Sequence, residues 1–179
     1  LETVFEENEK ELNELTETLN ERLGALKELF GVMQQVAGDA RSRFDNSLTN
    51  VQYPDRSSFL DNLAKKLGSS SKLPSIDEIE KLWFELQREM TESGKVVKFS
   101  TDVIDIQGSK SPTTVVRVGA FNIVADGKYL NYEPTTGNVS EIPRQPEGRR
   151  YTSSTSELFN STEGKVVFGL DPTLGGVLS

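Results

Sequence analysis

The sequence predicts an α+β protein: a long N-terminal coiled-coil-like helix plus two shorter helices, followed by a small antiparallel β-sheet domain. Three observations predict it. Apolar residues recur every seven positions (Phe5, Leu12, Leu19, Leu26, Met33, Ala40), with Leu15, Leu29 and Val36 in the alternate three-and-four places. Such a pattern marks a helix with one apolar seam. A Ser-x-x-Glu signature, Ser75 with Glu78, opens a second amphipathic pattern. After Gly94 the apolar period changes to two, in runs rich in β-branched and aromatic residues. The predicted division is therefore residues 1–94 as a helical stalk and helical packing region, and residues 95–179 as a small antiparallel β domain with a short helix.

The first helix is expected from Glu2 to about Leu48, a rod of roughly 70 Å at 1.5 Å per residue. Arg22 interrupts its seam. Acid is crowded into the first turns (Glu2, Glu6, Glu7, Glu9, Glu11, Glu14) and Arg41 and Arg43 lie near the end, an order that suits the helix dipole. From Leu29 to Ala37 apolar residues occupy the seam and both flanks: Leu29, Phe30, Val32, Met33, Val36 and Ala37. A helix apolar nearly all round is buried. The N-terminal part therefore reads as a projecting stalk, and "ELFGVMQQVAG" as the place where it enters a packed body.

Three glycines, Gly24, Gly31 and Gly38, sit at heptad spacing in this helix. Each costs roughly 1 kcal/mol relative to alanine. They are expected to form a close-packing stripe against another backbone or a large ring, or else to be tolerated without a partner. Trp83, the one tryptophan, is the ring large enough to fill such a notch. Its expected place is the core between helices, in preference to an exposed partner contact.

A short helix, "FLDNLAKKL", follows a polar break and is capped by Ser57 or Ser58, ending at Gly68. "GSSSKLP" reads as a flexible linker. The Ser75–Glu78 box then opens a helix to about Glu92, with Ile76, Ile79, Leu82 or Trp83, Leu86 and Met90 on one face and Gly94 as its C-cap. "KVVKFSTDVIDIQ", "TTVVRVGAFNIVA", "YLNYE" and "VSEIP" read as a four-strand meander with turns at "GSKSP", "ADGK" and "PTTGN". A short helix around Ser156–Ser161 and a last strand, "KVVFGLD", complete the expected sheet, which packs on the helices.

Composition excludes several kinds of chemistry. The chain of 179 residues has 28 Asp and Glu against 20 Lys and Arg, and no basic cluster larger than a pair. Nucleic-acid binding, which relies on basic patches, is not expected. With neither cysteine nor histidine, the usual zinc, copper and haem sites and the histidine-based triads cannot be built. No run of about 18 apolar residues spans a membrane. Asp102 and Asp105 fall on opposite strand faces, and "GSKS" lacks the first glycine of a phosphate loop. Neither an enzyme nor a cofactor is expected.

Longer strings carry a resemblance. "NERLGALKELFGVMQQVAGDARSRF", "LPSIDEIEKLWFELQREMTESGKVVKF" and "VVRVGAFNIVADGKYLNYEPTTG", with "RQPEGRRY" and the closing "GLDPTLGGVLS", resemble the ectodomain of extended ExbB/TolQ/MotA-type proton-channel proteins. The branch is TtpC-like, of the second type of TonB system. The segments occur in matching order over nearly the whole chain. The resemblance implies a periplasmic module attached to the inner membrane, with ExbB-, ExbD- and TonB-like partners. It further implies coupling of proton-motive force to outer-membrane uptake of iron-siderophore or haem. Membrane attachment is implied only through a segment absent from this chain. The family's proton-path residues lie in that segment, so no channel or catalytic residue is carried over.

The expected contacts are with protein. Leu12, Leu15, Leu19 and Leu26 are the association seam, which either joins copies into a homo-oligomer, meets another protein or packs within the chain. The alternative function is a periplasmic ligand- or peptidoglycan-binding module, with sugar or peptide on Tyr129, Tyr132 and Arg144.

Overall fold

A computed structural model of the chain describes residues 2–68 and 74–173. The expected linker "GSSSKLP" and the closing "TLGGVLS" fall almost wholly outside them. Helix α1 (Glu2–Asp45) runs without interruption through all three of its glycines. Ser47 ends it by capping a 3-10 turn, Leu48–Val51, its hydroxyl accepting from the Thr49 N–H. Helix α2 (Asp55–Gly68) starts just after Pro54, earlier than Ser57 or Ser58. It returns antiparallel along α1: Ser57 donates to Asp45, Arg41 pairs with Asp61, and Gly68 ends beside Gln34. Helix α3 (Ile76–Glu92) opens on the expected capping box, with both reciprocal hydrogen bonds of Ser75 and Glu78 formed. Its C-cap is Ser93 rather than Gly94. Ala37, Ala40 and Phe44 of α1, Leu60, Leu63 and Leu67 of α2 and Leu82 of α3 form the helical core.

The strands are β1 (Val96–Ile104), β2 (Lys110–Val118), β3 (Asn122–Ala125), β4 (Lys128–Glu133) and β5 (Asn138–Glu141). Sequential neighbours pair antiparallel. A short parallel pairing, Val103 with Val139 and Ile104 with Ser140, joins β1 to β5 and closes the barrel. Alternate residues point inward: Val103, Val115, Ile123, Leu130, Tyr132 and Val139 fill the interior, and Leu48 of the 3-10 turn packs on them. Helix α4 (Arg149–Asn160) lies on the outside, where Tyr151, Leu158 and Phe159 meet Val116, Val124, Tyr129 and Ile142.

The expected fold class is therefore corrected in two respects. The small antiparallel sheet is a closed barrel. Five short strands expose two edges and offer one narrow face when open, whereas closure pairs the edges and encloses an apolar interior. The N-terminal helix, for its part, is not a coiled coil within this chain. Among the described residues, no second helix covers its stretch from Phe5 to Leu26. Two local expectations also change. "TTVVRVGAFNIVA" is split into β2 and β3 by a turn at Gly119, whose φ is +58° and where a Cβ would lie only 2.8 Å from the Ser93 carbonyl oxygen, so no side chain fits. "KVVFGLD" is no strand but an extended strap across the barrel's outside. Asn122 exchanges two hydrogen bonds with the Asp171 backbone, at 2.9 and 3.2 Å, and the Tyr129 hydroxyl donates to the Gly169 carbonyl at 2.7 Å. The accompanying helix is α4, which begins seven residues before Ser156.

Two buried arginines join the halves. Arg56 of α2 donates to Glu89 of α3 at 2.6 Å, to the Thr49 hydroxyl at 2.6 Å and to Asn50 at 3.3 Å, and stacks on Phe44. Arg117 of β2 donates to Gln52 at 2.7 Å and to the Glu92 and Gly119 carbonyls at 2.8 Å. Burial opposes the Glu89 charge, but hydrogen bonds from Ser47, Thr49 and Arg56 outweigh it and hold the carboxyl below its ordinary 4.5. A carboxyl depressed on folding stabilises the fold fully above its unfolded value and loses that contribution as pH falls through the folded one. Glu89→Gln is expected to cost about 3 kcal/mol at neutral pH by leaving Arg56 without its counter-charge. The difference from the parent should shrink in urea titrations run well below the carboxylate range. A difference independent of pH would contradict this assignment of the acid-sensitive charge.

Candidate interaction surface

One face of α1 is used in two different ways along its length. At Ala37, Ala40 and Phe44 it is buried against α2. Residues three, four or seven apart share a helix face, so the same face continues N-terminally through Phe30 and Met33 to Leu26, Leu19, Leu15, Leu12 and Phe5. Helix α2 stops beside Gln34. Beyond that point the face has no partner among the described residues: Phe5, Leu12, Leu15 and Leu19 are 57–70% exposed and Leu26 39%. The unpaired part is roughly 40 Å long at 1.5 Å per residue. Glu9 and Glu11 flank it, and Glu6, Glu7, Glu14 and Glu17 lie on the outer side of the helix, all exposed.

The transition into the body differs from the sequence expectation. Leu29, Val32 and Val36 remain exposed, and only Phe30, Met33 and Ala37 turn into the helical core. The apolar wrap from Leu29 to Ala37 thus widens the exposed stripe as well as anchoring it. A second unpaired apolar face lies on α3. Trp83, expected in the core, is 64% exposed, with Ile76 and Met90 equally open one heptad to either side and Ile79 beside them. Leu82 takes the buried position in its place, because α3 meets the body through Leu82, Glu85 and Glu89.

Gly24, Gly31 and Gly38 lie away from the α2 contact. A Cβ added at any of them meets nothing within 4 Å, so neither Trp83 nor any described backbone fills the stripe within this chain. Tyr129 and Tyr132, the residues of the sugar-binding alternative, are both buried. Tyr132 donates to the Asp45 carbonyl at 3.1 Å and accepts from Asn50 at 3.2 Å, which ties barrel to helix end. Arg144 is exposed and pairs with Glu147. Arg56, Glu89 and Arg117 carry no local sequence signal, because the partners that bury them across elements, Glu89 for Arg56 and Gln52 and Glu92 for Arg117, lie 25 to 65 residues away.

The surface can therefore do one kind of chemistry well: lay a helix face against another apolar helix, with acidic flanks in water. Comparison with protein-family models, curated proteins and solved structures returns no match.

The open glycines generate an expectation. Gly24→Ala, Gly31→Ala and Gly38→Ala should each stabilise α1 against opening by about 0.5–1 kcal/mol, because alanine lowers backbone entropy without a clash. Amide hydrogen exchange across α1 reads this directly. Faster exchange in any of the three would mean that the glycine is occupied by something a methyl displaces.

Proposed function

We propose that this chain is a non-enzymatic periplasmic module of a TonB-linked proton-channel complex. In this reading it couples inner-membrane proton-motive force to outer-membrane uptake of iron-siderophore or haem through protein–protein contacts. The segment resemblance supplies the complex and its ExbB-, ExbD- and TonB-like partners. The observation that carries the contact itself is the α1 stripe, an apolar helix face continuous with a packed interface and left uncovered for roughly 40 Å.

The occupant proposed for the stripe is the same face of a further copy, running parallel. From Phe5 to Leu29 the stripe exposes on the order of 600 Å² per copy, near the ~800 Å² that each side of a standard interface contributes. In parallel copies the flanking acid Glu11 falls opposite Thr16 of the neighbour, and Glu9 and Glu11 do not oppose each other. Copies attached to one membrane already share that direction, which lowers the cost of pairing further.

The chain has no cysteine, so single cysteines report cleanly. In the full-length membrane-attached protein, Leu19→Cys should cross-link to itself under oxidation in the periplasm, while Gly31→Cys on the other side of α1 stays silent. Silence at Leu19 in folded protein would remove the homotypic stripe. Leu15→Glu with Leu19→Glu should also abolish energy-dependent siderophore or haem uptake at unchanged protein level. Normal uptake in that variant would sink the coupling role of the stripe.

A further inference from the structure

We infer that the exposed face of α3 is a second, separate self-association surface, on which two copies of this chain pair antiparallel about a two-fold axis at Trp83. The face is symmetric about that residue. Ile76 lies seven residues before it and Met90 seven after; Ile79 lies four before, and Leu86, half-buried against the helical core at the edge of the face, three after. In an antiparallel pair, a residue a given distance before the axis meets the residue the same distance after it on the partner. Ile76 then meets Met90, and Ile79 meets Leu86 to within one residue, an offset of about 1.5 Å. Two-fold interfaces require this self-complementarity.

Charge selects the direction. Glu80 is the one ionisable residue on the exposed face, flanked along the helix by Ile76, Trp83 and Gln87. A parallel pair sets Glu80 against Glu80. An antiparallel pair sets Glu80 beside Gln87, a hydrogen-bond donor, and separates the two carboxylates by roughly 10 Å along the axis. Most other charges of α3 are engaged within the chain: Glu78 pairs with Lys66, Glu85 with Arg88, Glu89 with Arg56 and Glu92 with Arg117, while Lys81 lies over Phe59 and Arg88 over Phe84 and Tyr53. Asp77 is exposed in the first turn, where acids suit the helix dipole.

Area sets the strength. Ile76, Ile79, Trp83 and Met90 together expose on the order of 500 Å² per copy, at the low end for specific interfaces, which marks a weak, reversible dimer. Its centre is a tryptophan, the residue type most enriched at binding hot spots. Since α3 is held by the helical core and by Arg56, the face is preorganised and little side-chain or backbone ordering is needed on pairing. Being distinct from the α1 stripe, this contact would link pairs formed there into larger assemblies.

The test uses the full chain in a background that disables the α1 stripe, Leu15→Glu with Leu19→Glu. Sedimentation equilibrium from micromolar to near-millimolar concentration should find a dimer there, with Trp83 emission moving to the blue as it forms. Trp83→Ala in the same background should raise the dissociation constant by at least about tenfold, with an unchanged circular dichroism spectrum because the side chain is mostly exposed. Mixing Glu80→Cys with Gln87→Cys should give hetero-cross-links in excess of either self-cross-link. A monomer at every concentration in that background, or a dimer indifferent to Trp83→Ala, overturns the proposal. Preferential Glu80→Cys self-cross-linking overturns the antiparallel arrangement.

Discussion

Burying a guanidinium without partners costs several kcal/mol, and this chain buries two of them where its helices meet its barrel. The Arg56 side chain is 1% exposed and that of Arg117 0%. Satisfying Arg56 needs the end of α1, the 3-10 turn and α3 in place together, since Phe44, Thr49, Asn50 and Glu89 all contribute. Satisfying Arg117 needs the same turn, through Gln52, and the last carbonyl of α3, at Glu92. Any other docking of helices on barrel strands one of these charges. The constraint reaches the barrel interior as well, since Leu48 of the shared turn packs against its inward-facing residues.

A stalk is useful only if its root is fixed, and that is what the junction provides. Helix α1 leaves the body with its direction set by α2 and by the turn that ends it. The Tyr132 hydroxyl, bonded to the Asp45 carbonyl at 3.1 Å, ties that end directly to β4. The apolar face packed at Phe44 is the same one that emerges bare at Leu26, so the body fixes which way the stripe looks. The bare face of α3 is anchored by the same network through Glu89. Two apolar faces therefore project from one polar joint, a sensible construction for a part whose proposed work is contact with other chains.

Elements governed by neighbours in the chain were legible in the sequence. The capping box at Ser75 and Glu78 is local, three residues apart, and forms as read. The seven-residue period of α1 and the change to period two after Gly94 likewise correspond to a helix and to strands. Misreadings arose where a residue's partner was distant. Trp83 and Leu82 are adjacent, and either reads as the core residue. A rotation of one residue about the α3 axis, set by Glu89 meeting Arg56, sends Leu82 inward and Trp83 out. Leu29, Val32 and Val36 looked buried because the wrap is apolar, but α2 covers one side only. "KVVFGLD" has strand composition, yet its backbone partners are side chains of Asn122 and Tyr129 and not a strand.

By itself, the sequence determined a long helix with one apolar seam broken at Arg22, a capped amphipathic helix and a set of short strands, because those follow from periodicity and caps within a few residues. It also determined what the chain lacks for chemistry, since no histidine or cysteine is present. Only the tertiary structure decided that the strands close into a barrel, that the seam is half used and half bare, and that Trp83 faces outward. Those outcomes depend on where α2 stops, on the pairing of β1 with β5, and on two arginines whose partners are scattered along the chain. Each is a contact between distant segments, whose free energy no local window of sequence contains.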